Sequence, residues 1–349
     1  MMRHECASRP EGSVLILALW TLLLLSFIVA ALGSHVSTHM TAASDLSNRS
    51  ICYFASRAGV ETAVAAIRSA TNEWADVSHA LNKNLQTMKD VAVGDGVFTV
   101  FHHTRDDDGV VHTNYGVADE DGRVNINEVT NAAVYDLAKS LIRTAGGVGE
   151  EKADSIVACI ADWIDADDQP RDGGAENSYY KGRSQPYGCH NGRLDCVEEL
   201  LLIKGLDTNI LAGVTDHITL YGTNRGVNIN TADPVVLRAM AKIRKNTQDA
   251  DADGFVKRVL EFRDGGGILP QLDKRAIRTL MFGTGDLTAS GQGEWVVMEW
   301  LLNHRLIAVQ SRHFCGISAG RALRGNAAER RIGFVFDSVT GEMEAWHEE

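Results

Sequence analysis

Residues 14–32 have the sequence VLILALWTLLLLSFIVAAL, nineteen residues without a charged side chain. Such a run is long enough to cross a bilayer as one helix. The leader before it, MMRHECASRPEG, contains Arg3 and Arg9, whereas the first Lys or Arg after it is Arg49. Because cationic flanks stay in the cytoplasm, we predict that the leader is cytoplasmic and that the residues after the helix lie outside the cytoplasm.

Three kinds of segment fit these residues. A signal anchor would keep the whole helix, and a secretory signal peptide would be cleaved near the small residues Ala31 and Gly33. In the third, Gly12 and Ser13 form a prepilin-peptidase junction, where a short charged leader ends and the apolar helix begins. The fifth residue after that cut would be Leu17, where prepilin-like proteins usually carry Glu.

The helical pattern extends beyond the membrane segment. Apolar side chains recur at helical spacing from Ile51 to Ile67, and no proline occurs between Pro10 and Pro170. We predict one helix from residue 13 to about residue 70, roughly 85 Å long at about 1.5 Å per residue. Gly33 and residues 45–50 are the places where it could bend or break.

Strand patterns occupy two separate parts of the remaining chain. GVFTVFHH (96–103) and VVHTNYGVADE (110–120) predict two strands, and HFCGISA (313–319), RRIGFVFDSV (330–339) and MEAWHE (343–348) predict three more. Residues from about 122 to 302 have mainly helical patterns. The sequence therefore predicts an α+β fold in which a large helical insertion splits the sheet.

The insertion contains a short internal sequence repeat. GRVNIN (122–127) recurs as GVNIN (226–230), and a helical run follows each copy, which the Asn side chains could cap. GVGEEKADSIVACI (147–160) and EELLLIKGL (198–206) have the pattern of helix-hairpin-helix turns, which often bind DNA phosphates. Glu150, Glu151 and a net charge of -12 oppose phosphate binding, so we favour a packing role and expect no nucleic acid.

The segment DWIDADDQPRDGGAENSYY (162–180) is strongly acidic, with six carboxylates within fifteen residues. Carboxylates and carbonyls on a turning loop suit Ca²⁺, which takes six to eight oxygens. Composition alone does not decide whether this segment is a calcium site or a solvated loop. A second acidic stretch, Asp249, Asp251 and Asp253, begins like an EF-hand loop, but Glu261 falls one residue late, so a turn is favoured there.

Other chemistry has little support. The six cysteines lack zinc-site spacing, while Cys189 and Cys196, seven residues apart, would allow a disulfide in an oxidising compartment. No GxSxG, P-loop or HExxH motif occurs, so we do not expect an enzyme.

Taken together, the Gly12–Ser13 junction with apolar Leu17, both VNIN segments, the acidic loop and NGRLDCVEELLLIKGL (191–206) resemble the K-type minor pseudopilins of type II secretion systems, also called general secretion pathway protein K. The resemblance implies a pilin-like α/β domain with a split antiparallel sheet and an inserted helical domain of SAM-like or helix-hairpin-helix-like type. The implied divisions are a cleaved leader (1–12), a transmembrane helix (13–33), a periplasmic stalk (34–72), the first part of the pilin-like domain (73–121), the insertion (122–302) with its acidic loop (162–180), and the C-terminal strands (303–349).

The resemblance also implies a role. Proteins of this family lie at the tip of the pseudopilus with the I-type and J-type minor pseudopilins, and start or limit filament assembly. They are substrates of the prepilin peptidase, span the bacterial inner membrane once, and have their bulk in the periplasm. A tip subunit has no neighbour above it to pair with, which fits the apolar Leu17.

Calcium is the cofactor that the resemblance implies. Its candidate ligands here are Asp165, Asp167, Asp172 and Glu176, with Glu199 or its neighbour Glu198 from the following helix. The alternatives are a membrane-anchored helix-hairpin-helix DNA-binding protein of a competence system and an exported calcium-dependent hydrolase.

Overall fold

The structure, a computed structural model, describes residues 11–69, 85–105, 110–223, 226–244, 247–323 and 329–349. Helix α1 runs without interruption from Glu11 to Ser69, so it continues through Gly33 and residues 45–50. In the described part of the chain this is the one helix long and apolar enough to cross a membrane, with a mean hydropathy of 2.8 over its most apolar window. Its apolar side chains from Val14 to Leu32 are exposed, as a lipid-facing or helix-packing segment requires.

The second half of α1 packs on a seven-stranded antiparallel sheet. Before the insertion come the short helix α2 (Leu85–Met88) and strands β1 (Val91–Val93), β2 (Gly96–Arg105), β3 (Val111–Tyr115) and β4 (Ala118–Asp119). After it come β9 (His313–Ala322), β10 (Arg330–Asp337) and β11 (Met343–Glu348). The order is β1-β2-β9-β10-β11, with β3 paired to β2 and β4 to β9.

The split sheet predicted from the sequence is confirmed, with two differences. Strand β1 was not predicted. Residues 110–120 form two strands rather than one, because the chain turns at Gly116, which has a φ of 127°. The helix and the sheet approach closely at Gly320, where a Cβ atom would lie 2.1 Å from the carbonyl oxygen of Cys52. Glycine at this position therefore allows α1 to lie against β9.

The insertion consists of two consecutive units of the same plan. The first has β5 (Val124–Asn125), α3 (Ala132–Thr144), α4 (Glu150–Ile164), α5 (Asn177–Lys181), α6 (Thr208–Val214) and β6 (Ile218–Thr219). The second has β7 (Val227–Asn228), α7 (Pro234–Lys242), α8 (Asp249–Asp264), α9 (Lys274–Phe282), α10 (Ala289–Asn303) and β8 (Ile307–Ala308). In each unit the first short strand pairs in parallel with the last, and one hydrophobic core runs through both.

The side chain of the last Asn in each VNIN segment holds distant segments of its unit together. Asn127 Nδ2 donates to the carbonyls of Leu194 (3.1 Å) and Leu220 (2.8 Å), and Asn127 Oδ1 accepts from the Leu194 amide (2.7 Å). All three of its side-chain bonds thus hold other segments of the first unit against the short strand β5.

Asn230 makes the same three bonds in the second unit. Its Nδ2 donates to the carbonyls of Leu269 (3.0 Å) and Val309 (3.1 Å), and its Oδ1 accepts from the Leu269 amide (2.9 Å). The expectation that VNIN asparagines cap the following α-helices was wrong, because α3 is capped by Asn131 and α7 by Asp233. Asn125 does cap the short 3-10 helix Ile126–Glu128.

A buried network joins the insertion to the sheet. The Asp119 carboxylate accepts hydrogen bonds from Asn228 Nδ2 (2.9 Å), Thr231 Oγ1 (2.5 Å) and Ser311 Oγ (2.6 Å). Burial raises the pKa of Asp119 above its usual value. Asp121 accepts from the amide of His313 and lies 3.1 Å from its Nδ1, and although burial opposes its ionisation, His313 keeps the pKa of Asp121 low.

Candidate metal centre

The acidic loop is built around a carboxylate that is wholly enclosed. Asp162, in the last turn of α4, is 0% exposed and accepts hydrogen bonds from the amides of Arg171 (3.2 Å) and Ala175 (2.8 Å) and from Arg171 Nη1 (2.8 Å). A Cβ atom at Gly174 would lie 2.0 Å from Asp162 Oδ2, so glycine is required there. Asp162 is therefore occupied in folding the loop back onto α4.

Three of the predicted ligands come together beside this carboxylate. Asp165, Asp167 and Glu176 each offer an oxygen, and these oxygens lie within 4.8 Å of one another. Within the described part of the chain, Asp165 Oδ1 and both Glu176 oxygens are buried without a hydrogen-bond partner. The other oxygen of Asp165 accepts a hydrogen bond from Arg171, which supplies part of the positive charge that the cluster needs.

Burial disfavours the ionised form of Glu176. It is 1% exposed, and burial, with the nearby charges of Asp162 and Asp165, raises the pKa of Glu176 to about 7. A buried carboxylate without hydrogen bonds is costly unless it is protonated or meets a cation. These orphaned oxygens fit a hard cation such as Ca²⁺, which binds carboxylate and amide oxygens.

Asn191, a residue that the sequence did not predict as a ligand, is held beside the acidic loop. Its Oδ1 is buried and lacks a partner, while its Nδ2 donates to the carbonyl of Asp167 (3.3 Å) and its amide donates to that of Trp163 (2.9 Å). Asn191 has a φ of 52°, a conformation that Asn tolerates better than most residues. An Asn in the turn of a Cys-His-Asn-Gly stretch beside the loop was the available signal.

The other two predicted ligands lie outside the group of three. Asp172 is exposed on the loop. Glu199 accepts from Trp163 Nε1 (2.9 Å) and from the amide of Asp195 (3.1 Å), and its Oε1 lies 2.5 Å from His190 Nδ1. These contacts use Glu199 to hold the segment that carries Asn191.

The structure also locates the second acidic stretch, the two cysteines and the proposed cleavage junction. Asp249, Asp251 and Asp253 lie in the first turns of α8, a helix and not a metal-binding loop, and Asp249 pairs with Lys242 at 3.0 Å. Cys189 and Cys196 are both free thiols in the structure. Gly12 and Ser13 lie in the first turn of α1, and the leader residues 1–10 are outside the described residues.

A family of known proteins matches one part of the chain, the first unit of the insertion. Residues 122–223 match the family model described as type II secretion system protein K, first domain. This match begins at Gly122, where the insertion was predicted to begin, and covers the first of the two units. The resemblance to protein K is confirmed.

Proteins named type II secretion system protein K are similar to parts of the chain. The one from Pseudomonas aeruginosa is 30% identical over 132 residues, which is 36% of this chain and 39% of that protein. The one from Klebsiella pneumoniae is 30% identical over 127 residues, 34% of this chain and 39% of that protein. The one from Pectobacterium carotovorum is 33% identical over 87 residues, 24% of this chain and 26% of that protein. The alignments thus span well under half the length of these relatives.

The fold similarity is more extensive. A chain in the crystal structure of the GspK-GspI-GspJ complex from the enterotoxigenic Escherichia coli type 2 secretion system matches with a TM-score of 0.56. The match covers 88% of this chain and 97% of that chain at 15% identity. At this identity the likeness establishes the fold, a mixed helix and sheet architecture with a long apolar N-terminal helix. None of these similarities supports the DNA-binding alternative.

Proposed function

We propose that this chain is a minor pseudopilin at the tip of the type II secretion pseudopilus, where it supports the start of filament assembly and limits filament length. The observation that carries the proposal is the protein K domain at residues 122–223, held in a fold that matches a chain of the GspK-GspI-GspJ complex over most of its length. Its role would be structural, since a pseudopilin is a filament component and not an enzyme.

The stalk supplies the means of assembly. Large apolar side chains of α1 are exposed beyond the predicted membrane segment as well as within it, including Met40, Leu46 and Phe54. Lateral packing against neighbouring pseudopilin helices would cover them. We propose a single-pass protein of the bacterial inner membrane, with a cytoplasmic N-terminus, a periplasmic bulk, and processing between Gly12 and Ser13 by the prepilin peptidase.

The proposed partners are the I-type and J-type minor pseudopilins. The crystal structure with the matching fold is of a complex between GspK, GspI and GspJ. The position at which other pseudopilins carry Glu is Leu17 here, which is 67% exposed. A subunit without this acid has no carboxylate to pair with an N-terminal amine above it, as expected of a subunit at the end of the filament.

Calcium is proposed as the cofactor of the acidic loop. Asp165, Asp167, Glu176 and Asn191 would hold it. Among the described residues, Asp165, Glu176 and Asn191 carry buried oxygens without a hydrogen-bond partner. Asp167 offers an oxygen within 4.8 Å of those of Asp165 and Glu176. The ion would neutralise the clustered charge and fix the loop between α4 and α5. Asp172 and Glu199 are left out of this set because one is exposed and the other is engaged elsewhere.

The test is genetic complementation in the source bacterium. Cells that lack the chain should keep secreted proteins in the periplasm, and expression of the full chain should restore export. A version with residues 122–302 replaced by a short linker should insert in the membrane but restore neither export nor co-purification with the I-type and J-type pseudopilins. Normal export without the chain, or purification without either partner, would contradict the proposal.

A further inference from the structure

Two histidines face each other on the stalk just beyond the predicted membrane segment. His35 and His39 are four residues apart on α1, and their Nε2 atoms lie 3.0 Å apart. Their ring centroids are 4.3 Å apart and the rings are nearly perpendicular, at 82°. Both residues are exposed, so solvent reaches the paired nitrogens.

This separation suits two ligands of one metal ion. Two imidazole nitrogens at metal distances of about 2.0–2.1 Å are roughly 2.9 Å apart when they subtend a right angle. Right-angled nitrogen ligands are typical of Ni²⁺ and Cu²⁺, for which imidazole is a good donor. A metal could therefore bind to both Nε2 atoms with little movement of either side chain.

The surroundings favour a cation. No Lys or Arg occurs between Arg9 and Arg49, so no positive side chain on this stretch of helix repels a metal. The neighbouring hydroxyls of Ser34 and Thr38 donate to carbonyls of their own helix. The helix thus supplies two imidazoles, and the remaining coordination positions stay open to water or to a group on an adjacent molecule.

We propose that His35 and His39 form a binding site for a divalent transition-metal ion at the membrane end of the stalk. The site is separate from the acidic loop, since it uses nitrogen ligands on one helix face. It depends on α1 alone and not on the proposed role in secretion.

Ni²⁺ is the probe, because it does not oxidise the free thiols of the chain. The full chain in detergent is titrated with Ni²⁺ by calorimetry, with Ca²⁺ in excess to occupy the acidic loop. Wild type should bind one equivalent more than the double variant His35→Ala, His39→Ala. X-ray absorption at the nickel edge should show two imidazole ligands.

A shifted pair is the matched control. The double variant Ser37→His, His39→Ser keeps the number of histidines but places them two residues apart, on different faces of the helix. Its Ni²⁺ affinity should be at least about tenfold weaker, because the second imidazole no longer binds the same ion. Equal Ni²⁺ binding by wild type and either variant, with helix content unchanged by circular dichroism, would overturn the proposal.

Discussion

At the residue scale, Glu176 would connect folding of the acidic loop to the proposed binding of Ca²⁺. Its buried carboxylate gains no hydrogen bond in the structure and lies among other acids. Replacing Glu176→Gln removes one ligand charge, so Ca²⁺ affinity should fall by at least about tenfold. Isothermal calorimetry measures the change. The exposed Glu198→Gln is the control and should bind Ca²⁺ like wild type. Unchanged affinity in Glu176→Gln would remove Glu176 from the ligand set.

The same carboxylate predicts a pH dependence. Its pKa is raised from 4.5 to about 7 in the folded protein, mainly by burial. Between these values the folded state binds more protons than the unfolded state, so the free energy of unfolding without Ca²⁺ should fall as pH rises through this window. Urea unfolding with a chelator at about pH 5 and about pH 7.5 measures the slope.

Two comparisons make the pH prediction specific. Glu176→Gln should lessen the slope, because the titrating group is gone. Saturating Ca²⁺ should stabilise the protein more at the higher pH, since protons then compete less for the carboxylate. A calcium-free stability that rises between the two pH values, in wild type but not in the variant, would show that the sign is wrong.

At the scale of elements, the last Asn of each VNIN segment plays the same part in its own unit of the insertion, where it holds distant segments together. Asn127→Ala removes three hydrogen bonds and leaves the Leu194 amide and two carbonyls without that partner. The free energy of unfolding should fall by about 2–4 kcal/mol. Asn230→Ala should cost a similar amount, because it makes the same set of bonds.

Denaturant unfolding measures both changes. Asn209→Ala, at an exposed position in α6, is the control and should change stability by under about 0.5 kcal/mol. If Asn127→Ala or Asn230→Ala resembled this control, the asparagines would not hold their units together.

Several elements were predictable from sequence because their signals are local. Strand alternation located β2, β9, β10 and β11, and an unbroken apolar pattern without proline predicted α1. The role of the VNIN asparagines was not predictable in this way. An Asn before a helix has the pattern of a cap, whereas the partners of Asn127 lie 67 and 93 residues away.

The candidate metal centre was predictable to a similar extent. Acidic residues next to glycines indicated the loop, and Asp165, Asp167 and Glu176 do lie together. Composition does not distinguish a carboxylate used to fold the loop, such as Asp162, from one left without a partner. Asn191 is held beside the loop by long-range hydrogen bonds to the carbonyls of Asp167 and Trp163, which composition does not indicate.

At the scale of the whole molecule, Asp119 holds the insertion against the sheet. Asp119→Ala removes the acceptor for Asn228, Thr231 and Ser311 in a buried site. It should lower the free energy of unfolding by about 2–3 kcal/mol, because buried donors lose a partner. Hydrogen exchange should also increase around β7 and the start of β9.

The exposed ion pair between Arg105 and Asp216 is a matched control. It also joins the sheet to the insertion, at 2.8 Å, but its side chains are 48% and 44% exposed. Asp216→Ala should therefore cost under about 1 kcal/mol. Equal costs for the two variants would mean that the buried network does not determine how the insertion is held.

The N-terminus decides which export route the whole molecule follows. A prepilin peptidase would leave a mature chain that begins at N-methylated Ser13, and cells without the peptidase should keep Met1. Gly12→Val should block the cut, because a branched side chain replaces glycine at the junction. Gly33→Val should leave the cut unchanged, since a Cβ atom there has no neighbour within 4 Å.

Intact mass and N-terminal sequencing distinguish the outcomes. A wild-type chain that begins at Met1 would indicate a plain anchor. One that begins near Ser34 and changes with Gly33→Val would indicate an exported protein without a filament stalk.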